Sequence, residues 1–321
     1  PAAYGPSGFP TNVNPLTGLI VEDTALLERR PIIVKVANFP RSTRPHAGLS
    51  FADLVFEYYI GAGATRFSAL FYGQDSEQVG PVRSARLIDA SLGNPYQAIL
   101  AFVSADPTVF SRIIDALGNR AITEGPRTCP ALCRTGTGDV NSVFANTALF
   151  SEFAKTDRGV DTVRQNLDGM RFDPEAQPGG KAGAWLDVSY STYAISEWRF
   201  DQASGKYLRW IEDVDAANNV KMGELTDRLT GEQLAFANVV VLFAQYNEIK
   251  PTLHEIVITG NQTGQRALLF RDGQVYEATW KVGDPNRPIQ FFAPDGSPLA
   301  FQPGNTWFEV VGLNSSASEV K

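Results

Sequence analysis

The chain has 321 residues, 43% of them apolar and 11% aromatic, and a formal net charge of −7 with an isoelectric point near 5.0. That content supplies two packed cores and excludes disorder over most of the length. So acidic a chain repels phosphate backbones, which excludes nucleic acid as the general partner, and its longest apolar stretch, 235–246, is broken by Asn238 and falls short of the roughly 20 residues of a membrane-spanning helix.

Residues 1–18 carry no initiator Met and are rich in Pro, Gly and Asn, the composition of an extended tether. The run 31–38 (PIIVKVAN) is β-branched and apolar and stops at Pro40, which predicts a buried strand. Two further strands, 54–60 (LVFEYYI) and 65–72 (TRFSALFY), flank Gly61-Ala62-Gly63-Ala64, whose glycines supply the positive φ of a tight hairpin. With no third glycine in register, that segment does not read as a dinucleotide-binding turn. After Gly80-Pro81, residues 84–92 predict a short helix capped by Ser84 and stopped by Gly93. A strand at 98–103 follows, then a helix at 107–117, opened by Pro107 and closed by Gly118, with Val109, Ile113, Ala116 and Leu117 on one stripe.

This alternation predicts an α/β layered domain with a mixed sheet over 19–172. The Pro- and Gly-rich stretch around 173–183 reads as a linker. Beyond it, 184–313 holds strand-like runs at 193–200, 207–211, 239–243, 255–259, 267–270, 275–280 and 307–311, with turns at 271–273 and 294–296. A mostly antiparallel β domain is expected there, followed by a tail at 314–321. The fold class is therefore α+β.

Glu57 lies inside an apolar strand, where a buried carboxylate needs a partner. Any even-length turn within 61–64 brings Arg66 onto the same face, either as a structural ion pair that fixes register or as part of a ligand site. In Gly80-Pro81-Val82-Arg83-Ser84-Ala85-Arg86, two guanidinium groups stand beside a helix start, a setting for a carboxylate or phosphate. The plainer alternative pairs Arg86 with Asp89 at i, i+3 on a solvated helix face. Cys129 and Cys133 are spaced for a local disulfide or remain free thiols; with His46 and His254 far away in sequence, no metal site is expected. The same shortage of histidines argues against a catalytic triad, and His46, in a loop, reads as an exposed or capping side chain. Glu57 and Asp89 form a candidate carboxylate pair for glycoside cleavage. All five tryptophans fall in the second half, as core or as a sugar-stacking face. Nothing in the sequence calls for a cofactor.

The order and spacing of Asn14-Pro15-Leu16-Thr17-Gly18-Leu19, Arg44-Pro45-His46-Ala47-Gly48-Leu49, Ala52-Asp53-Leu54-Val55-Phe56-Glu57, Thr65-Arg66-Phe67 and 80–86 resemble the YerB-like family of bacterial lipoprotein-type chains. In the second half, Asn238-Val239-Val240-Val241, Phe270-Arg271-Asp272-Gly273, Ala278-Thr279-Trp280 and Pro303-Gly304-Asn305-Thr306-Trp307 resemble its C-terminal domain. The resemblance implies an extracytoplasmic protein held at the cell surface by an N-terminal lipid anchor, with no established activity. Where members show Pro-His-Asn this chain reads Asp139-Val140-Asn141, so only Asn141 carries over and a histidine-dependent mechanism is disfavoured; the region of Cys129 and Cys133 is a second departure. The expectation is a non-enzymatic binding protein that takes an anionic small molecule or cell-wall component on Glu57, Arg66, Arg83, Arg86 and Asn141. The alternatives are a hydrolase of envelope glycans or esters using Glu57 or Asp89 as acid/base, and a scaffold docking other envelope proteins through the β-rich half. Oligomeric state is left open.

Overall fold

The computed structural model describes residues 2–136, 138–139, 141–215, 219–316 and 318–320. The first half contains strands β1 (Ile32–Ala37), β2 (Leu54–Gly61) and β3 (Ala64–Phe71), helix α1 (Leu87–Gly93), β4 (Ile99–Phe102), α2 (Pro107–Leu117), β5 (Ala121–Thr123) and α3 (Thr147–Arg158). The second half opens with an antiparallel group, β6 (Trp185–Ser191), β7 (Ala194–Asp201), β8 (Lys206–Val214) and β9 (Val220–Glu224). It continues with β10 (Asn238–Lys250), β11 (Leu253–Val257), β12 (Gln265–Arg271), β13 (Gln274–Lys281), β14 (Gln290–Phe292) and β15 (Thr306–Gly312). The α+β class holds, with a mixed sheet in the N-terminal part and mostly antiparallel pairing in the C-terminal part.

The two halves share one large sheet in the order β14-β13-β12-β10-β15-β2-β3-β1-β4-β5. Strand β15 runs parallel to both β10 and β2, and so joins them. Both β10 and β15 begin as near-continuous apolar runs, the pattern of strands covered on both faces. One face, with Ile33, Phe56, Tyr58 and Leu70, is buried under Ile88 and Leu92 of α1 and Val109 and Ile113 of α2. The other, with Val34, Val55, Phe67 and Trp307, is buried under Leu186, Trp198 and Tyr207 of the second sheet and Phe150 of α3. Trp198, Trp280 and Trp307 are fully buried, so these three form core and not a sugar-stacking face.

Several sequence expectations change. The helix expected at 84–92 starts only at Leu87, because the backbone before it is already engaged: Val82 N–H donates to Val143 O at 2.7 Å, Arg83 to Lys35 O at 2.8 Å and Ala85 to Ser104 O at 2.8 Å. Arg86, not Ser84, occupies the cap position, and its N–H donates to the Asp89 carboxylate at 2.6 Å. The expected tether is packed from residue 13 onward: Val13 and Leu16 are buried and Asn14 Nδ2 donates to Asp53 Oδ1 at 2.7 Å. The stretch 173–183 is fastened to the sheet, since the Arg271 guanidinium donates to Asp173 O at 2.9 Å and Lys181–Ala182 pairs with β13. Cys129 and Cys133 form a disulfide with Cα atoms 4.6 Å apart. Among the described residues no helix is long and apolar enough to cross a membrane.

Trp307 meets Phe67, Trp198 and Phe236 at ring-centroid distances of 5.0–5.3 Å, at the meeting point of both sheets. Trp307→Ala is expected to lower the unfolding free energy by about 3–5 kcal/mol, measured by urea titration; a loss under about 1 kcal/mol contradicts this packing.

Candidate functional site

The hairpin decides which side chains meet. Gly61 pairs with Ala64 around a two-residue turn at Ala62-Gly63, but the register shifts by one between Tyr59 and Gly61. That bulge sets Glu57 opposite Phe67 and Tyr58 opposite Arg66, and a one-residue slip sends alternate side chains to the opposite face. Glu57 and Arg66 therefore lie on opposite sides of the sheet, and the ion pair expected from an even-length turn does not form.

Glu57 instead enters a polar junction between the two sheets. Its Oε2 accepts from Arg209 at 2.8 Å, and its Oε1 accepts from Thr65 Oγ1 at 2.7 Å. Beside it in register on β15 is Glu309, which accepts from Trp198 Nε1 at 2.7 Å, Tyr190 Oη at 2.9 Å and the Ser196 hydroxyl. Arg209, fully buried, is thus shared by two adjacent carboxylates, with its guanidinium 5.0 Å from the Trp198 ring and 5.3 Å from the Trp307 ring. A second pair follows, Arg44 to Glu212 at 2.7 Å, and Arg44 Nε also donates to Asn38 Oδ1 at 3.0 Å. Burial pushes the Glu57 carboxyl up, the Arg209 charge opposes the rise, and the Glu309 carboxylate adds to it. The sequence carried a signal for this cluster: Arg209 in YLRWI and Glu309 in TWFEVV are charged residues inside apolar strand runs, as Glu57 is.

On the opposite face Asp89 is fully buried, and its Oδ1 accepts from Ser68 Oγ at 2.6 Å, Tyr58 Oη at 3.0 Å and Lys35 Nζ at 3.3 Å. Its other oxygen holds the Arg86 N–H, so Asp89 does not pair with the Arg86 guanidinium on a solvated face. Burial lowers the Lys35 ammonium to about 7 against the pull of Asp89. Above this layer the arginines gather. Arg66 and Arg86 both donate to Ser84 O, at 2.5 and 3.4 Å, and Arg86 also donates to Ala85 O at 2.9 Å. Arg83 donates to Asn141 Oδ1 at 3.0 Å, and Asn141 Nδ2 donates to Ser42 at 3.1 Å; Val140 lies outside the described residues. The Nε atoms of Arg66, Arg83 and Arg86 are buried without a hydrogen-bond partner among the described residues. Burial, then the charges of Arg86 and Arg83, lower Arg66 to about 9, so it remains a cation at neutral pH. Four of the five candidates, Arg66, Arg83, Arg86 and Asn141, thus fall in one region, and Glu57 does not join them.

Glu57 is 2% exposed and Asp89 0%, and they face different layers, which leaves neither as an accessible acid/base and removes the pair suggested for glycoside cleavage. His46 is wholly buried against Phe67 and is neither exposed nor a cap. Burial and the charge of Arg44 lower it to about 3, so it is neutral at ordinary pH.

The fold defines a class of α+β protein whose two halves complete one sheet and meet across a buried ionic junction. The family model described as the N-terminal domain of a protein of unknown function (DUF3048) matches residues 16–160, and the model of its C-terminal domain matches 186–308. The chain belongs to this family. It is 28% identical over 327 residues to the "Putative lipoprotein YerB" of Bacillus subtilis (strain 168), covering 95% of this chain and 87% of that protein. The crystal structure of YerB protein from Bacillus subtilis matches with a TM-score of 0.80 and 27% identity, over 96% of this chain and 99% of that one.

Arg209→Leu is expected to cost about 3–5 kcal/mol in stability, because it strands two buried carboxylates. Burial raises the folded-state pKa of Glu57 from 4.5 to about 8, so the stability it contributes is fully present below pH 4.5 and is lost as pH rises through about 8. Glu309→Gln removes the adjacent like charge and is expected to flatten this fall. Urea titrations across that pH range check it; parallel profiles for the two proteins contradict the coupling.

Proposed function

We propose that the chain is an extracytoplasmic lipoprotein whose N-terminal half binds an anion, a carboxylate or phosphate group borne by a cell-wall component or a small molecule, without catalysing its turnover. The location rests on the likeness to YerB. The binding reading rests on the convergence of Arg66 and Arg86 on Ser84 O, with the Nε atoms of both, and of Arg83, buried and unpartnered among the described residues.

The physical logic is one of unspent donors and unbalanced charge. Each guanidinium has five N–H groups in a planar fork suited to a carboxylate or phosphate. The nearest buried acid, Asp89, is already occupied by Lys35, Tyr58, Ser68 and a backbone N–H. Asp106 and Asp139 act on Arg86 and Arg83 only at longer range, and neither forms an ion pair with them among the described residues. An anion seated among the three cations would relieve their mutual repulsion and complete their hydrogen bonds. Asn141, which holds Arg83, acts as a positioning residue.

Calorimetry with inorganic phosphate, citrate and soluble wall fragments tests this. Arg66→Gln and Arg86→Gln are each expected to weaken the affinity about tenfold or more, with little change in thermal stability, and added salt is expected to weaken it further. Unchanged affinity in both variants, or no binding of any member of the panel, overturns the proposal.

A further inference from the structure

A second concave feature opens beside the junction of the two sheets. A cleft of about 470 Å³ is lined by Tyr59, Tyr190, Tyr246, His254 and Glu248, together with the chain after β15. These residues come from four strands, β2, β6, β10 and β11, so the cleft is built by the meeting of both halves. None of the candidate arginines lines it; they lie on the face of the large sheet that carries Tyr58 and Ser68.

The chemistry of the lining is restrictive. The tyrosine hydroxyls are turned to the protein's own groups: Tyr190 Oη donates to Glu57 O at 3.0 Å and to Glu309 at 2.9 Å, Tyr246 Oη donates to Val310 O at 2.7 Å, and Tyr59 Oη accepts from Gly63 N–H at 3.2 Å. What Tyr190 and Tyr246 keep for an occupant is therefore ring surface, and Tyr59 offers its ring together with one O–H. The His254 ring stands edge-on to Tyr59, with centroids 5.5 Å apart, and its side chain is only 8% exposed. Its Nδ1 is buried without a partner among the described residues, while Nε2 lies 3.5 Å from the Glu248 carboxylate. Among the described residues no arginine or lysine lines the cleft, whose own charge is that of Glu248, and the Glu309 carboxylate stands directly behind Tyr190.

Aromatic faces with an acid at the rim and no competing cation suit a positive group that needs no hydrogen bonds of its own. A sugar would ask for several hydrogen-bond partners along its ring, and the hydroxyls of Tyr190 and Tyr246, two of the three tyrosines, already donate to the protein's own oxygens. A primary ammonium favours several charged acceptors, where the described lining supplies one carboxylate, that of Glu248.

We propose that this cleft binds a methylated ammonium group, with Tyr59, Tyr190 and Tyr246 as the aromatic wall, Glu248 as the counter-charge and His254 Nδ1 as the partner for a neighbouring hydroxyl. Choline has this chemistry, whether free or as the headgroup of a lipid.

The test is titration of the full chain with tetramethylammonium, choline and the uncharged isostere 3,3-dimethylbutan-1-ol, followed by calorimetry. Saturable binding of both cations, about tenfold weaker for the isostere, is the expected result. Tyr59→Leu and, at the exposed rim where folding is not at stake, Glu248→Gln are each expected to reduce choline affinity several-fold and to leave phosphate binding unchanged. Co-sedimentation with phosphatidylcholine vesicles but not phosphatidylglycerol vesicles assigns the lipid headgroup; choline binding without vesicle binding assigns the free compound, and either supports the site. Absence of saturable choline binding, equal affinity for the isostere, or full affinity retained in both variants sinks the proposal.

Discussion

A single guanidinium holds the junction of this molecule together. Arg209 projects from the second sheet between Glu57 and Glu309, which stand side by side on the parallel strands β2 and β15. Two acids in neighbouring register, both out of water, are tolerable only with a cation between them, hydrogen bonds on the remaining lone pairs and the upward shift that burial gives Glu57. Thr65, Tyr190, Ser196 and Trp198 supply those bonds. The arrangement therefore specifies which strand lies beside β2, and it does so with directional contacts that an apolar interface alone lacks.

Local signals in the sequence carried most of the elements. Helix α2 runs over the residues that Pro107, Gly118 and its apolar stripe predict, and the β2–β3 hairpin forms where glycine permits it. What escaped was non-local. No periodicity announces that β15, near the end of the chain, pairs with β2 near its beginning, because a strand buried on both faces reads as a plain apolar run whatever its neighbours. The delayed start of α1 escaped for a related reason: Ser84 is a good cap in isolation, but the backbone around it is committed to bonds with Lys35, Ser104 and Val143.

The same divide separates the site residues. Arg66, Arg83 and Arg86 stood out in the sequence as three guanidinium groups in two short segments; the structure brings Arg66 and Arg86 to the Ser84 carbonyl and Arg83 to Asn141. Glu57 was legible as a residue in need of a partner, but the partner was misassigned. A one-residue bulge, invisible in the spacing, reversed its face, and the cation that answers it comes from 152 positions away. Arg209 and Glu309 carried the same mark, a charge within an apolar run.

The position of β15 also bears on how the chain reaches its native state. When the first half has been synthesised, the outer backbone edge of β2 has no neighbour, and the strand that covers it emerges only with residues 306–312. The largest hydrophobic surfaces of both halves thus stay incomplete until the chain is nearly finished, and closure depends on contacts of very long sequence separation. A polypeptide of this design does not settle early from its N-terminus. Closure of the large sheet waits on one of the last strands of the chain to emerge.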